Sequence, residues 1–131
     1  MFRVTIIYPD QPGARFDQDY YLKKHVPTMK QLLQGMPGFL NISVERSFDA
    51  SSWGASFALM TCHYTFDSLQ NTMLAMSDLA GQMRADIPKF SNVVPTVYVN
   101  ELIQSHSSDE VISRFGDSML SDLPSSWMAP R

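Results

Sequence analysis

Cysteine is nearly absent: Cys62 is the single one in 131 residues, so the chain holds no intrachain disulfide and no thiolate cluster for a metal. Basic charge is scarce as well. Ten Lys and Arg against thirteen Asp and Glu leave a formal charge of −3, without the clustered cations that neutralise phosphates, so nucleic acid is not expected as a partner. No apolar run approaches the roughly 18 residues of a membrane span. Residues 1–8 also lack the basic and apolar regions of a leader, so the expectation is a cytoplasmic protein with no membrane partner. Neither G-x-G-x-x-G nor a phosphate loop occurs, which removes the usual nucleotide-binding motifs. What remains is 44% hydrophobic and 18% charged, the balance of a single globular domain.

Residues 2–8 are β-branched and aromatic and stop at Tyr8-Pro9-Asp10-Gln11-Pro12-Gly13, which reads as a strand followed by turns. Asp17 stands as an N-cap before Leu22, Val26, Met29, Leu33 and Met36, a helical stripe that predicts a helix over 17–35. Pro27 withholds the N–H that would bond the Lys23 carbonyl, so a kink or frayed turn is expected beside His25. Residues 39–48 alternate, with Leu40, Ile42, Val44 and Phe48 on one face. A third strand over 56–66 carries Met60, Cys62, Tyr64 and Phe66 on one face and Thr61, His63 and Thr65 on the other. Asp67-Ser68 caps a second helix whose stripe is Leu69, Met73, Met76, Ala80 and Met83, and Val97 and Val99 mark a fourth strand.

The order β-α-β-β-α-β is the split βαβ, ferredoxin-like arrangement, an α+β fold in which two helices cover one face of a four-stranded antiparallel sheet. Strand alternation then places Arg3, Thr5, Ile7, Asn41, Ser43, Glu45, Thr61, His63, Thr96, Tyr98 and Asn100 on the opposite face. That face is either solvated or, if a second copy covers it, the wall of a pocket. Residues 104–131 change character, with eight serines and a capping-box-like Ser107-Ser108-Asp109-Glu110 before Ile112, Phe115 and Met119. This predicts a partly helical tail that packs on its own or a partner subunit, outside a domain of residues 1–103.

Several segments together resemble a known family. Tyr8-Pro9, Pro12-Gly13, Phe16-Asp17-x-x-Tyr20-Tyr21, His25-x-Pro27, His63 before Phe66-Asp67-Ser68, and Ala85-Asp86-Ile87-Pro88 with Phe90-x-Asn92 and Pro95 are similar to the EthD family. That family is named for ethyl tert-butyl ether degradation and belongs to the dimeric α/β barrel superfamily. The resemblance runs from about residue 2 to residue 103. It implies a homodimer whose sheets pair face to face around a cavity. It also implies chemistry on a small apolar, aromatic or polyketide-like molecule, beside oxygenase or tailoring systems. Superfamily relatives include cofactor-free monooxygenases, cyclases, isomerases and haem-binding proteins, so the resemblance names no single reaction.

Two histidines are candidate catalytic groups, because imidazole titrates near neutral pH. His25 is either a structural residue capping the Lys23 carbonyl or a base at the barrel mouth. His63 is either a cross-strand polar partner of Glu45 or a base that Glu45 orients. Tyr98 and Tyr8 can donate to a carbonyl or phenolate oxygen, and Arg3 can bind an acidic group. Tyr21, Glu45, Thr61 and Asn100 complete the expected substrate-binding set. His25, His63 and His106 show no metal-ligand spacing, and no cofactor is expected, although a haem would need only one axial histidine such as His63. Two functions follow: cofactor-free proton transfer, as isomerisation, dehydration, cyclisation or the first step of an oxygenation, or non-catalytic carriage of a ligand to a partner oxygenase.

Overall fold

The computed structural model describes residues 1–48 and 58–108. Strands β1 (Phe2–Pro9), β2 (Phe39–Glu45), β3 (Ala58–Phe66) and β4 (Thr96–Glu101) form one antiparallel sheet in the order β2-β3-β1-β4. The two helices and this strand order make the ferredoxin-like α+β fold that the alternation predicts. Alternation places Val4, Ile6 and Tyr8 of β1 and Met60, Cys62, Tyr64 and Phe66 of β3 in one buried layer with Met29, Leu33, Ala75 and Leu79 of the helices. The Val, Ile, Leu, Met and Phe side chains among these contribute about 1.5–3 kcal/mol each when fully buried, so this layer holds the helices to the sheet.

The first helix is continuous but not uniform. It begins at Gln18–Tyr20, where the Asp17 carboxylate accepts the Tyr20 N–H at 3.0 Å, widens into a π-helical turn over Tyr21–His25, and continues as Val26–Gln34. The wide turn lies directly before Pro27, and the Val26 N–H donates to the Tyr21 carbonyl instead of the residue four back. The extra residue rotates everything before it. Tyr21 and His25 therefore face inward in line with Met29 and Leu33, while Leu22, expected in the core, is exposed.

Three other expectations are corrected. The β2–β3 register slips between Phe39 and Asn41, so Phe39 packs against the core and Leu40, the extra residue of the bulge, is exposed. Phe48 lies beyond β2 and is 78% exposed. On the second helix (Leu69–Asp86) the buried stripe is Thr72, Ala75, Leu79, Met83 and Asp86, and Leu69 and Met73 face outward with Met76 and Ala80 at the margin. Small residues face the sheet here, and Thr72 returns its hydroxyl to the Ser68 carbonyl at 2.7 Å, which makes it self-satisfied under burial. The predicted pattern at Ile112, Phe115 and Met119 lies outside the described residues, as do residues 56 and 57 of the expected third strand.

Gly38 leads into β2 with φ +75°, and its carbonyl accepts the Asp67 N–H at 2.9 Å. A Cβ there would run into the Asp67 carboxylate and the Asn71 amide, which are bonded to each other at 2.9 Å. Gly38→Ala is expected to cost about 2 kcal/mol or more, from left-handed backbone and the broken contact. Gly81, mid-helix with open space at its Cβ, should instead gain about 0.5–1 kcal/mol as alanine. Urea midpoints of the two variants should move in opposite directions; a shift of the same sign contradicts the assignment.

Candidate functional site

The register alone builds one cluster on the face turned away from the helices. Thr5, at the centre of the sheet, stands opposite His63 on β3 and Tyr98 on β4. Arg3, one step along β1, stands opposite Thr65 and Asn100. On β2, Ser43 faces His63 and Glu45 faces Thr61, which sets Glu45 diagonal to the imidazole. The side chains complete the line: Glu45 Oε1 lies 2.5 Å from His63 Nε2, and His63 Nδ1 lies 3.0 Å from Thr5 Oγ1. The hydrogen-bond pattern assigns Nε2–H to the Glu45 carboxylate and leaves the Nδ1 lone pair to accept the Thr5 hydroxyl proton.

This line borders a cavity of about 230 Å³ lined by Arg3, Thr5, His63, Tyr98 and Asn100, with Glu101 and Leu102 at its end. The His63 side chain is 15% exposed and that of Glu45 62%, so the imidazole is sheltered and its carboxylate partner reaches outward. Arg3 Nε is buried with no hydrogen-bond partner among the described residues. Thr61 sits one row away, between Glu45 and Ile7, and does not line the cavity. Both His63 nitrogens are already bonded, so an axial ligand to a haem iron would have to break one of these bonds; among the described residues no three His, Cys, Asp or Glu side chains converge as a metal site.

The other candidates assemble on the opposite side of the sheet. His25 Nδ1 is bonded to Asp86 Oδ2, not to the Lys23 carbonyl that Pro27 leaves open. Its ring stacks on Tyr21 at 5.3 Å and tilts against Phe90 at 4.6 Å, and the residue is 2% exposed. Asp86 ends the second helix; its other oxygen accepts from Tyr20 Oη at 3.3 Å and lies 3.6 Å from Lys89 Nζ. With Lys89 as counter-charge, the carboxylate stays ionised and its pKa is lowered: burial opposes this, but the bonds from His25, Lys89 and Tyr20 outweigh it. Burial pushes the His25 pKa down against the pull of Asp86, so the ring is neutral with its proton on Nδ1.

Tyr8 and Tyr21 belong to this helix-side layer, packed with Phe16 and Phe90, and burial pushes both phenols well above their ordinary range. They do not meet Arg3, His63 or Tyr98, so the expected set of site residues divides between the two sides of the sheet. Cys62 lies among these tyrosines, and burial pushes its thiol up to about 11, although bonds from Tyr21 and Tyr64 pull the other way. Native protein at pH 8 is therefore expected to react with a disulfide dye only as fast as it unfolds. Labelling within seconds would contradict this burial.

Sequence reasoning missed Asp86 as a partner. Its signal was present: in the buried register Thr72, Ala75, Leu79, Met83, the next position is Asp86, and an acid on a buried stripe requires a partner. A wider cleft of about 430 Å³ between Phe16 and Phe90 is a seam of loops already bonded to one another, with Asn92 holding the Arg15 N–H at 2.6 Å and the Gly13 carbonyl at 2.9 Å. Among the described residues, the His63 cavity brings an imidazole, a hydroxyl, a phenol and the unpartnered Arg3 together.

Among solved structures, an EthD-like protein from Ralstonia eutropha JMP134 is similar to this chain at a TM-score of 0.70 and 29% identity, over 81% of this chain and 95% of that one. This chain has the fold of that EthD-like protein. The EthD-like fold recurs in an ethyl tert-butyl ether degradation family protein from Bacillus halodurans C-125, at a TM-score of 0.56 and 21% identity over 79% of this chain and 99% of that one. A protein from Bordetella bronchiseptica assigned as an antibiotic biosynthesis monooxygenase shares it at 0.52 and 15%, over 79% of this chain and 96% of that one. No protein-family profile matches the sequence, and no curated protein does. Among the described residues no helix is long and apolar enough to cross a membrane.

Proposed function

We propose that this EthD-like chain catalyses cofactor-independent proton transfer on a small, largely apolar aromatic or polyketide-like molecule, with His63 as the base. The observation that carries the reading is the Glu45–His63–Thr5 line at the wall of a cavity. An acidic C–H or O–H of the substrate gives its proton through the Thr5 hydroxyl to Nδ1, while Tyr98 Oη donates to the oxygen that becomes anionic. Glu45 holds the imidazolium so formed. Return of the proton to a different atom gives isomerisation; loss of water or ring closure from the same anion gives dehydration or cyclisation. An electron-rich anion that meets dioxygen gives the oxygenated variant.

A second copy laid face to face on this sheet would exclude water from the cavity. We therefore assign this sheet face, where Tyr98 is 43% exposed, to a homodimer interface. The test is solvent-deuterium incorporation into a panel of enolisable aryl ketones and phenols, followed by proton NMR, with native mass spectrometry of the same mixtures. Protein-dependent exchange in a dimer supports the proposal. A ligand-bound dimer without exchange overturns catalysis and makes the chain a carrier, and a monomer overturns the enclosed site.

A further inference from the structure

We infer that the substrate is a monocarboxylate whose carboxylate is held by Arg3. Arg3 is the starting point, because it lines the cavity while its buried Nε–H finds no acceptor among the described residues, so the guanidinium has hydrogen-bonding capacity to offer a ligand. Among the described residues no carboxylate pairs directly with this guanidinium: the ion pairs join Lys23 to Asp19, His25 and Lys89 to Asp86, and His63 to Glu45. Its cross-strand neighbours on the sheet, Thr65 and Asn100, are neutral. An arginine fork is suited to a planar carboxylate, which it can engage by two parallel charge-assisted bonds.

The spacing links this group to the chemistry. Arg3 and Thr5 are alternate residues of one strand, about 6–7 Å apart along it and pointing the same way. A carboxylate on Arg3 therefore shares one cavity with the Thr5 hydroxyl and Tyr98, with the body of the acid beside them. Arg3 is the one cation that lines the cavity among the described residues and Glu101 shares it, so a second carboxylate would find no counter-charge. Only the placement of the reacting proton rests on the His63 reading; the carboxylate site stands on Arg3.

The test compares 2-naphthoate with 2-naphthamide as probes, by titration of the Arg3 Nε–Hε NMR signal and by saturation-transfer binding curves. The wild type is expected to bind the acid at least about tenfold more tightly than the amide, with the Arg3 signal shifting only for the acid. In Arg3→Gln the preference should fall to within about twofold, and Arg3→Lys should restore part of it. Equal binding of the two probes, or a preference that survives Arg3→Gln, overturns the inference. If Arg3→Gln fails a circular dichroism check of folding, the wild-type ratio and the Arg3 signal decide alone. A carboxylate preference without deuterium exchange of any enolisable acid would leave this site standing and remove proton transfer; exchange of neutral ketones without such a preference would do the reverse.

Discussion

Asp86→Ala is expected to destabilise the protein by about 3 kcal/mol and to lower its melting temperature by about 10 °C. The substitution strands three groups at once. His25 Nδ1–H loses its acceptor while only 2% exposed, Tyr20 Oη loses its bond, and Lys89 is left without its counter-charge. Asp86→Asn, which keeps an acceptor for Nδ1–H, should lose less. The pH dependence has a definite sign. The pKa values of His25 and Asp86 are both lowered in the folded chain, so as pH falls the unfolded chain takes up their protons first. Stability from the pair is complete above the ordinary histidine value of 6.5, declines as pH falls below it through His25, and declines again below the ordinary aspartate value of 3.8. Urea unfolding at pH 7.5 and 5.5 should show the first decline, and His25→Gln should shrink it; an unchanged decline in that variant contradicts the assignment of a buried neutral imidazole.

His63→Gln is expected to lower kcat for proton transfer by roughly 10²–10⁴ with little change in KM. Glutamine can still bond Glu45 or Thr5, but it cannot accept a proton at neutral pH. Its cost in stability should be small, because the Glu45 side chain is 62% exposed and pairs of that kind are worth about 1 kcal/mol or less. Glu45→Gln should have a smaller effect than His63→Gln, since it removes the group that orients and charges the imidazole but leaves the base. Thr5→Val tests the relay: loss of activity with binding intact is expected, whereas full activity would mean that substrate reaches Nδ1 directly. A rise in KM with kcat unchanged for His63→Gln would instead make His63 a binding residue.

Much of this was legible because β-strand alternation is strict. The period of two in β1 and β3 separates Val4, Ile6, Cys62 and Tyr64 from Arg3, Thr5 and His63 without any tertiary information. Register was not legible, and it decides that Glu45 lies diagonal to His63 and Leu40 in a bulge. The helices were harder to read, for different reasons. In the first, Pro27 signalled an irregularity but not that it would take the form of a wide turn, and that turn exchanges Leu22 for Tyr21 and His25 in the core. In the second, a count of large apolar residues selected the Leu69–Met73 face, while the helix buries the smaller Thr72 and Ala75 that allow close approach to the sheet. That rotation by one residue also concealed Asp86. The division of the candidate residues into two clusters is a three-dimensional fact: His25 and His63 both appear in a readable pattern, but only the fold places a sheet between them.

The central claim is that chemistry belongs to the His63 side of that sheet. The most direct measurement is deuterium exchange into one responsive substrate by wild type, His63→Gln and His25→Gln, each normalised to folded protein by circular dichroism. The account predicts that His63→Gln loses at least about a hundredfold in rate, while His25→Gln stays within about threefold of wild type per folded molecule. The opposite pattern, with His25→Gln inactive and His63→Gln unimpaired, would contradict it and move the reaction to the Asp86 side of the sheet.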